Sequence, residues 1–453
     1  NSYKVHFMGN GNTSGSMSDQ PFTYDKAQNL TANAFVKTGY TFSHWEMLQN
    51  SLYDTVEHNG VKASSESGYE DFLQYTISAP FVAGDVYYLE FDVKGSGTLT
   101  NYFYGGNNYL QVAKIETSDG RVLTATDGAN NVPLSSGYTH YTVKFTLGSS
   151  GNGNVNKYIL FRASPGTNVY VKNVAFGKIN TGKTYTDKQN VSNLVSEPNG
   201  TALLMAKWTA NSFTLAYNAN KPSNASNNVA SVPGNQTLTY DTASAISKTA
   251  PTLKGWIFRG WADSATGKVA YGSNAELSKE KVNAMYTACS GGTYNVYAKW
   301  DAITYTIVFN SNGGSGDMDN MSMVYDVAKN LTANKFTRTG YTFAGWNTQA
   351  DGKGTSYSDK QSVNNLTATN GATITLYAQW TINQYSVTYD YATNKGTALN
   401  PENPKTTYDY NAPIDLSPKG VKAGWTFVGW NIDKDAHTGL TSVKMPVGGI
   451  TLY

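Results

Sequence analysis

The chain has 453 residues, too many for one hydrophobic core, so several domains are expected. Its 34 Lys and Arg against 32 Asp and Glu leave a formal charge of +2, scattered without basic runs, which argues against nucleic acid as a partner and against an anionic membrane surface. The single cysteine, Cys289, excludes an intramolecular disulfide, and no apolar stretch is long enough for a membrane-spanning helix.

With 33 Tyr, 43 Gly and 15% charged residues, the composition suits half-buried pleated strands joined by short turns. The first predicted strand is Tyr3-Lys4-Val5-His6-Phe7, which alternates with period two. A Tyr24-Asp25 pair follows, then Gly39-Tyr40-Thr41-Phe42-Ser43-His44-Trp45. The next strands are predicted at 86–93, 98–104, 138–146, 157–162 and 169–176, without any tryptophan. Tyr185-Thr186-Asp187-Lys188-Gln189-Asn190-Val191 then leads to a strand closing on Met205-Ala206-Lys207-Trp208.

This order repeats three more times. The opening strands are Phe213-Thr214-Leu215-Ala216-Tyr217, Tyr305-Thr306-Ile307-Val308-Phe309 and Tyr385-Ser386-Val387-Thr388-Tyr389. The Tyr-Asp pairs are Tyr240-Asp241, Tyr325-Asp326 and Tyr408-Asp409. The Trp-ended strands begin at Gly255, Gly340 and Gly424 and end at Trp261, Trp346 and Trp430. Alternation places the Tyr, the Phe and the second Gly of each on one face and the Trp on the other. Closing strands end at Trp300 and Trp380, and the fourth stops at Leu452-Tyr453 inside a repeat, so both termini read as edges of a longer protein. All nine tryptophans sit at repeat positions and are expected to fill small cores, the alternative being exposed platforms for sugar rings.

In the third copy Trp346 and Tyr357 are 11 residues apart, whereas the matching Trp45 and Tyr185 are 140 apart. The excess of 129 residues is a domain-sized insertion at a hairpin tip, where the two chain ends already lie together. The predicted organisation is repeat one at 1–46 plus 178–209, an inserted β-sandwich at 47–177, and repeats two to four at 210–301, 302–381 and 382–453.

These motifs resemble the Listeria–Bacteroides repeat, the family that includes the B-repeats of internalins. The resemblance covers roughly 1–46 and 178–453 and implies a mainly β fold of four tandem, small β-grasp-like modules. It implies spacing and adhesion on bacterial surface proteins, secreted enzymes or phage virion proteins, with no catalytic residues to carry over. His44, where the other copies have Gly, and Trp256-Ile257 depart from the pattern without changing the expected fold. The insertion is similar to jelly-roll domains of the carbohydrate-binding-module type, in its Tyr88-Leu89-Glu90-Phe91-Asp92-Val93-Lys94-Gly95 strand and its Val169-Tyr170-Val171-Lys172-Asn173-Val174 strand.

A sugar site needs flat aromatic faces for the apolar side of a pyranose and amides or charged groups for its hydroxyls. Tyr102, Tyr104, Asn107, Asn108 and Tyr109 offer both, with Gln111 and Arg162 as polar partners. The competing reading makes the tyrosines core and the asparagines turn residues.

The chemistry of catalysis is not legible. None of the five histidines has a ligand-like neighbour at metal spacing, and no Cys-x-x-Cys or Gly-x-Ser-x-Gly occurs. Gly177-Lys178-Ile179-Asn180-Thr181-Gly182-Lys183-Thr184 fits a phosphate-loop pattern, but repeat sequence rather than a helix is expected after it. No cofactor is implied, and Asp119-Gly120 and Asp127-Gly128, read as turns, leave room only for a structural calcium ion in the sandwich. The expectation is a non-catalytic extracellular segment, on a bacterial cell surface or secreted, whose repeats form a semi-rigid rod presenting a sandwich to a glycan or cell-wall polysaccharide. A phage tail or head fibre in a virion assembly, an accessory region of a polysaccharide hydrolase and a plain spacer remain the alternatives.

Overall fold

In the computed structural model, residues 1–77, 82–105, 108–109, 112–118, 121–123, 129–148 and 157–453 are described. The fold is mainly β, with one helix, Lys279–Ala288, among the described residues. The chain divides into two compact units, each treated separately: Asn1–Thr214 with Thr237–Ser244 and Leu277–Tyr294, and Leu215–Gln236, Ala245–Glu276 and Asn295–Tyr453.

In the first unit a five-stranded sheet runs in the order Thr184–Tyr185, Tyr40–Met47, Thr201–Ala210, Ser2–Met8, Gln20–Thr23. Ser2–Met8 and Thr201–Ala210 are parallel, with Val5 opposite Ala202, while Trp45 faces Ala206 across an antiparallel pair. Strands from both sides of the long insertion thus complete one sheet over one core of Tyr3, Val5, Phe7, Phe22, Trp45 and Leu204.

Between them, two antiparallel sheets close on a single core. One contains Asn108–Tyr109, Leu99–Gly105, Lys157–Ala163, Glu70–Ile77 and Ala129–Val132. The other contains Val122–Leu123, Val112–Thr117, Thr139–Leu147, Val86–Ser96, Thr167–Lys178, Gln49–Asp54 and His58–Lys62. Leu99, Ile159 and Phe161 of the first meet Leu89, Phe91, Val143, Phe145 and Phe176 of the second, which makes this body a β-sandwich. After Lys178 the chain enters the short strand Thr184–Tyr185 without a helix, so the phosphate-loop pattern lacks the helix N-terminus it requires.

In the second unit, repeat three has the sheet order of repeat one: Met321–Val324, Thr304–Asn310, Thr373–Ile382, Tyr341–Asn347, Ser356–Tyr357, again with one parallel pair. Repeat four keeps the parallel pair, Gln384–Tyr389 with Ile450–Leu452, and buries Trp430 in its own core.

The predicted face of the tryptophan is corrected by a bulge. In Tyr341–Asn347 the register to Thr373–Ile382 slips between Phe343 and Gly345, so Phe343 and Trp346 fall on the same side, rings 5.0 Å apart and inclined at 64°. Gly345 has φ +139°, and Gly260 and Gly429 have φ +136° and +152°, values that L side chains adopt only under strain. His44 stands at that position in repeat one outside the positive-φ region, yet the register slips there too, and Phe42 packs on Trp45 at 4.9 Å.

The copy-four Tyr-Asp pair is also corrected. Tyr385 pairs with Tyr408, whereas Tyr305 of copy three pairs with Met323, so the residues equivalent to Tyr325-Asp326 are Tyr410-Asn411, two positions later. Asn411 has φ +61°, as Asp25, Asp241 and Asp326 have +60°, +59° and +60°, a conformation that Asp and Asn tolerate better than other non-glycine residues.

The helix has no counterpart in the sequence reading. Ser278 caps it by accepting from the Lys281 amide, and it buries Val282 and Met285. Cys289 lies at its C-terminal cap, half-buried, with its thiol donating to the Tyr286 carbonyl at 3.5 Å.

Trp346 is fully buried and its indole N–H has no partner, so its worth is volume and ring contact alone. Trp346→Ala should destabilise repeat three by about 3–5 kcal/mol, read as faster amide exchange across Thr373–Ile382, with repeat-four amides unchanged.

Candidate functional site: repeat joints and the outer face of the sandwich

The first half of each Trp-ended strand meets the next repeat. Gly39 has φ +77°, and any Cβ there would fall inside the ring of Tyr240. Tyr40 meets Tyr240 at 5.6 Å and donates its hydroxyl to Asp241 at 2.9 Å. The Asn211 amide donates to the Gly39 carbonyl at 2.8 Å, the Tyr240 amide donates to the Asn211 carbonyl at 2.9 Å, and Thr41 donates to the Asn211 side chain at 2.6 Å.

Repeats two and three join in the same way. Gly255, at φ +80°, is covered by Tyr325, and Trp256 donates its indole N–H to Asp326 at 2.9 Å. The Ile303 amide donates to Gly255 and the Tyr325 amide to Ile303, both at 3.0 Å. Between repeats three and four Tyr410 covers Gly340, Tyr341 meets Tyr410 at 6.3 Å, and Thr342 donates to Asn383 at 2.6 Å. The linking residue thus bonds through backbone and side chain at the first and third joints, Asn211 and Asn383, and through backbone alone at the second, Ile303.

Asp326 is the most polarised of these groups. Its burial opposes the charge, but donors from Ser226, Trp256 and Asn365 outweigh that and bring it down to about 2. A depressed carboxylate contributes stability that is present above its unfolded value near 3.8 and is lost as pH falls toward 2. At the first joint, burial and then the bond to Asp241 push the Tyr40 hydroxyl up to about 12.

The nine tryptophans divide by role. Trp45, Trp261, Trp346 and Trp430 are fully buried. Trp208, Trp300 and Trp380 are half-buried and donate to the carbonyls of Gly9, Ala219 and Ser311, each at 2.9 Å. Trp256 serves a joint, and Trp425, the matching residue of copy four, is 72% exposed with the Lys422 ammonium 4.2 Å above its ring.

Of the predicted sugar-site residues, Tyr102, Tyr104, Asn108, Tyr109 and Arg162 lie in the five-stranded sheet of the sandwich. Asn107 and Gln111 are outside the described residues. Tyr104 is in register with Tyr109 on one side and Tyr158 on the other, Tyr102 with Leu160, and Asn108 with Gly105. Arg162 is opposite Thr100, four residues along the sheet from the Tyr104 pairing. Its guanidinium is held by Asp71, Nε to Oδ1 at 2.5 Å and Nη2 to Oδ2 at 3.0 Å, and lies 5.4 Å from the Tyr69 ring centre. Tyr102 and Tyr104 therefore sit on an internal strand paired on both sides, with Tyr109 on the edge strand beside Tyr104, while Arg162 is already engaged by a carboxylate. Inside the sandwich, Asn101 is fully buried opposite Asn130, with both amide atoms unpaired, a cost of about 1–3 kcal/mol for each such group.

Sequence reasoning placed Glu90 and Asp92 on one strand face but did not join the histidines to them. His6, Glu90, Asp92 and His140 are brought together from strands far apart in the chain. Among the described residues no three His, Cys, Asp or Glu side chains form a group that could hold a metal ion, and no helix is long and apolar enough to cross a membrane.

The sequence profile of the Listeria-Bacteroides repeat domain matches residues 3–59, 213–285, 305–379 and 385–453, more than half of the chain. The chain belongs to this family. Internalin H of Listeria monocytogenes is 38% identical over 125 residues, 26% of this chain and 19% of that protein. A protein of Evansella cellulosilytica described as a Gly-rich membrane protein is 37% identical over 121 residues, 26% of this chain and 14% of that protein. The chain thus spans less than a third of the curated relatives it matches. Among solved structures, the Bacillus anthracis TIE protein aligns over 89% of this chain and 74% of its own, with 10% identity and a TM-score of 0.23.

Lowering the pH should release Trp256 from Asp326. Its indole N–H resonance should titrate with a midpoint near 2, and Asp326→Ala should abolish that titration while leaving the Trp346 indole signal in place.

Proposed function

We propose that this chain is a non-catalytic, extracellular segment of a bacterial surface protein, in which repeats attached one to the next carry the β-sandwich as a glycan-binding head. The observation that carries this reading is the joint. The residues most characteristic of the repeat, the first Gly, the aromatic after it and the Tyr-Asp pair, are spent on holding one repeat to the next. A family whose recurring residues serve mutual attachment rather than a cleft is suited to spacing and display. Membership in a repeat family that includes an internalin relative agrees with a surface location.

The glycan reading rests on the register of Tyr104 with Tyr109 and on Tyr102 two residues along the same strand, next to the strand of Arg162. Stacking of a sugar ring on such a residue is worth an appreciable part of a modest affinity, so its loss is measurable.

The test is a screen of the full chain against host, plant and bacterial cell-wall glycans. Saturable binding that falls about tenfold or more in Tyr104→Ala, a loss of about 1.4 kcal/mol, is expected. Absence of binding across all three glycan classes would overturn the head and leave the array as a spacer.

A further inference from the structure

The sandwich and repeat one meet on the face of the repeat sheet turned away from Trp45. Met8, Leu203 and Met205 of the repeat close with Tyr88 and Ala175 of the sandwich, and with Ile179 just after its last strand, into one buried cluster. The parallel registers make Asn310, Thr375 and Tyr377 their equivalents in repeat three. The apolar face is therefore a property of the copy that carries the sandwich. Apolar burial attracts without specifying a direction. Direction comes from the charged groups beside it.

Glu90, only 4% exposed, comes from the sandwich strand Val86–Ser96. Nε2 of His6, on the repeat strand Ser2–Met8, is 3.8 Å from Oε1, and Nε2 of His140, on the sandwich, is 3.6 Å from Oε2. Neither distance is a hydrogen bond, and Oε2 has no hydrogen-bond partner, so Glu90 is held by charge. Each histidine is oriented through its other ring nitrogen, His6 by Asp19 at 2.6 Å and His140 by Asp92 at 3.0 Å. Lys4 pairs with Asp19 at 2.7 Å and lies over the ring of Tyr53, which stacks on His6 at 4.1 Å. Asn173 donates to Asp92 at 2.7 Å, and Lys172, Tyr138 and the buried Tyr88 hydroxyl also face these groups.

We propose that Glu90, clamped between His6 of the first repeat and His140 of the sandwich, is the lock that fixes the direction in which the sandwich is carried, and that discharging the clamp frees it to swivel. The lock does not depend on the glycan reading, because it concerns how the sandwich is held and not what it binds.

The pH dependence has a definite sign. Desolvation works against the His140 charge, but Asp92 and Glu90 outweigh it and push the imidazole up to about 10. Its contribution is fully present below about 6.5 and is lost as pH rises through about 10. Burial raises Glu90, yet His140 and His6 hold it below its usual 4.5, and the same balance with His140 and Asn173 lowers Asp92. Their contributions are present above about 4.5 and lost as pH falls below it. The lock is complete between about 4.5 and about 6.5 and loosens on both sides.

The experiment uses the full chain with Cys289→Ser and spin labels at Ala32→Cys on the repeat and Ser65→Cys on the sandwich, both exposed positions. Electron-spin distance measurements should give one narrow distribution at pH 6. The width should grow about twofold or more in Glu90→Gln, in His6→Ala, and in the otherwise unsubstituted labelled chain above pH 10. His6 lies outside the sandwich core, so His6→Ala keeps the test valid should Glu90→Gln disturb the sandwich itself. A distribution equally narrow in folded His6→Ala and in the unsubstituted chain above pH 10 would overturn the lock.

Discussion

A one-residue bulge in the Trp-ended strand divides that strand between two tasks. Beyond the bulge, Trp346 turns into the core of its own repeat beside Phe343. Before it, Gly340 and Tyr341 face the following repeat, where Tyr410 lies on the glycine. An unbulged strand would put Phe and Trp on opposite faces, because side chains alternate with period two. The core would then lose its largest residue, and a small module has little else of that size to bury. The bulge glycine, the covered glycine and the two aromatics are therefore one device.

The joint gains its firmness from directional bonds in a tight space. At each joint the backbone of the link is hydrogen-bonded to both repeats, and a Tyr or Trp donor finds an Asp acceptor at the first two. The third replaces Asp with Asn411 and keeps the ring contact. The Asp residues also hold a positive φ, a reason for their chemistry independent of the donor they receive. In the proposed display role, the charged seam between repeat one and the sandwich is what sets the direction of the head.

Much of this was legible from the residues. Period-two strands, the Trp spacing and the resumption of the repeat at Tyr185 marked the repeat pattern and the strand content, because alternation and self-similarity are local signals. The face of the tryptophan was misread, since a bulge changes parity without changing composition. The copy-four pair was misread because Tyr408-Asp409 imitates a motif whose true place is set by cross-strand register. The apolar signature of the seam, Met8, Leu203 and Met205, was present in the sequence but carries meaning only when compared position by position with Asn310, Thr375 and Tyr377. The His6–Glu90–His140 cluster had no local signal at all, because its members are joined only by the fold.

The most direct test of the joint is the protection of indole protons against exchange with solvent in the intact chain at neutral pH. Trp256 and Trp425 occupy the same place in copies two and four, one bonded to Asp326 and the other 72% exposed, so each serves as the other's control. The account predicts that the Trp256 indole proton is protected by orders of magnitude while that of Trp425 exchanges as an exposed indole does. Equal, fast exchange at both positions would contradict it, for the hallmark residues would then hold nothing together.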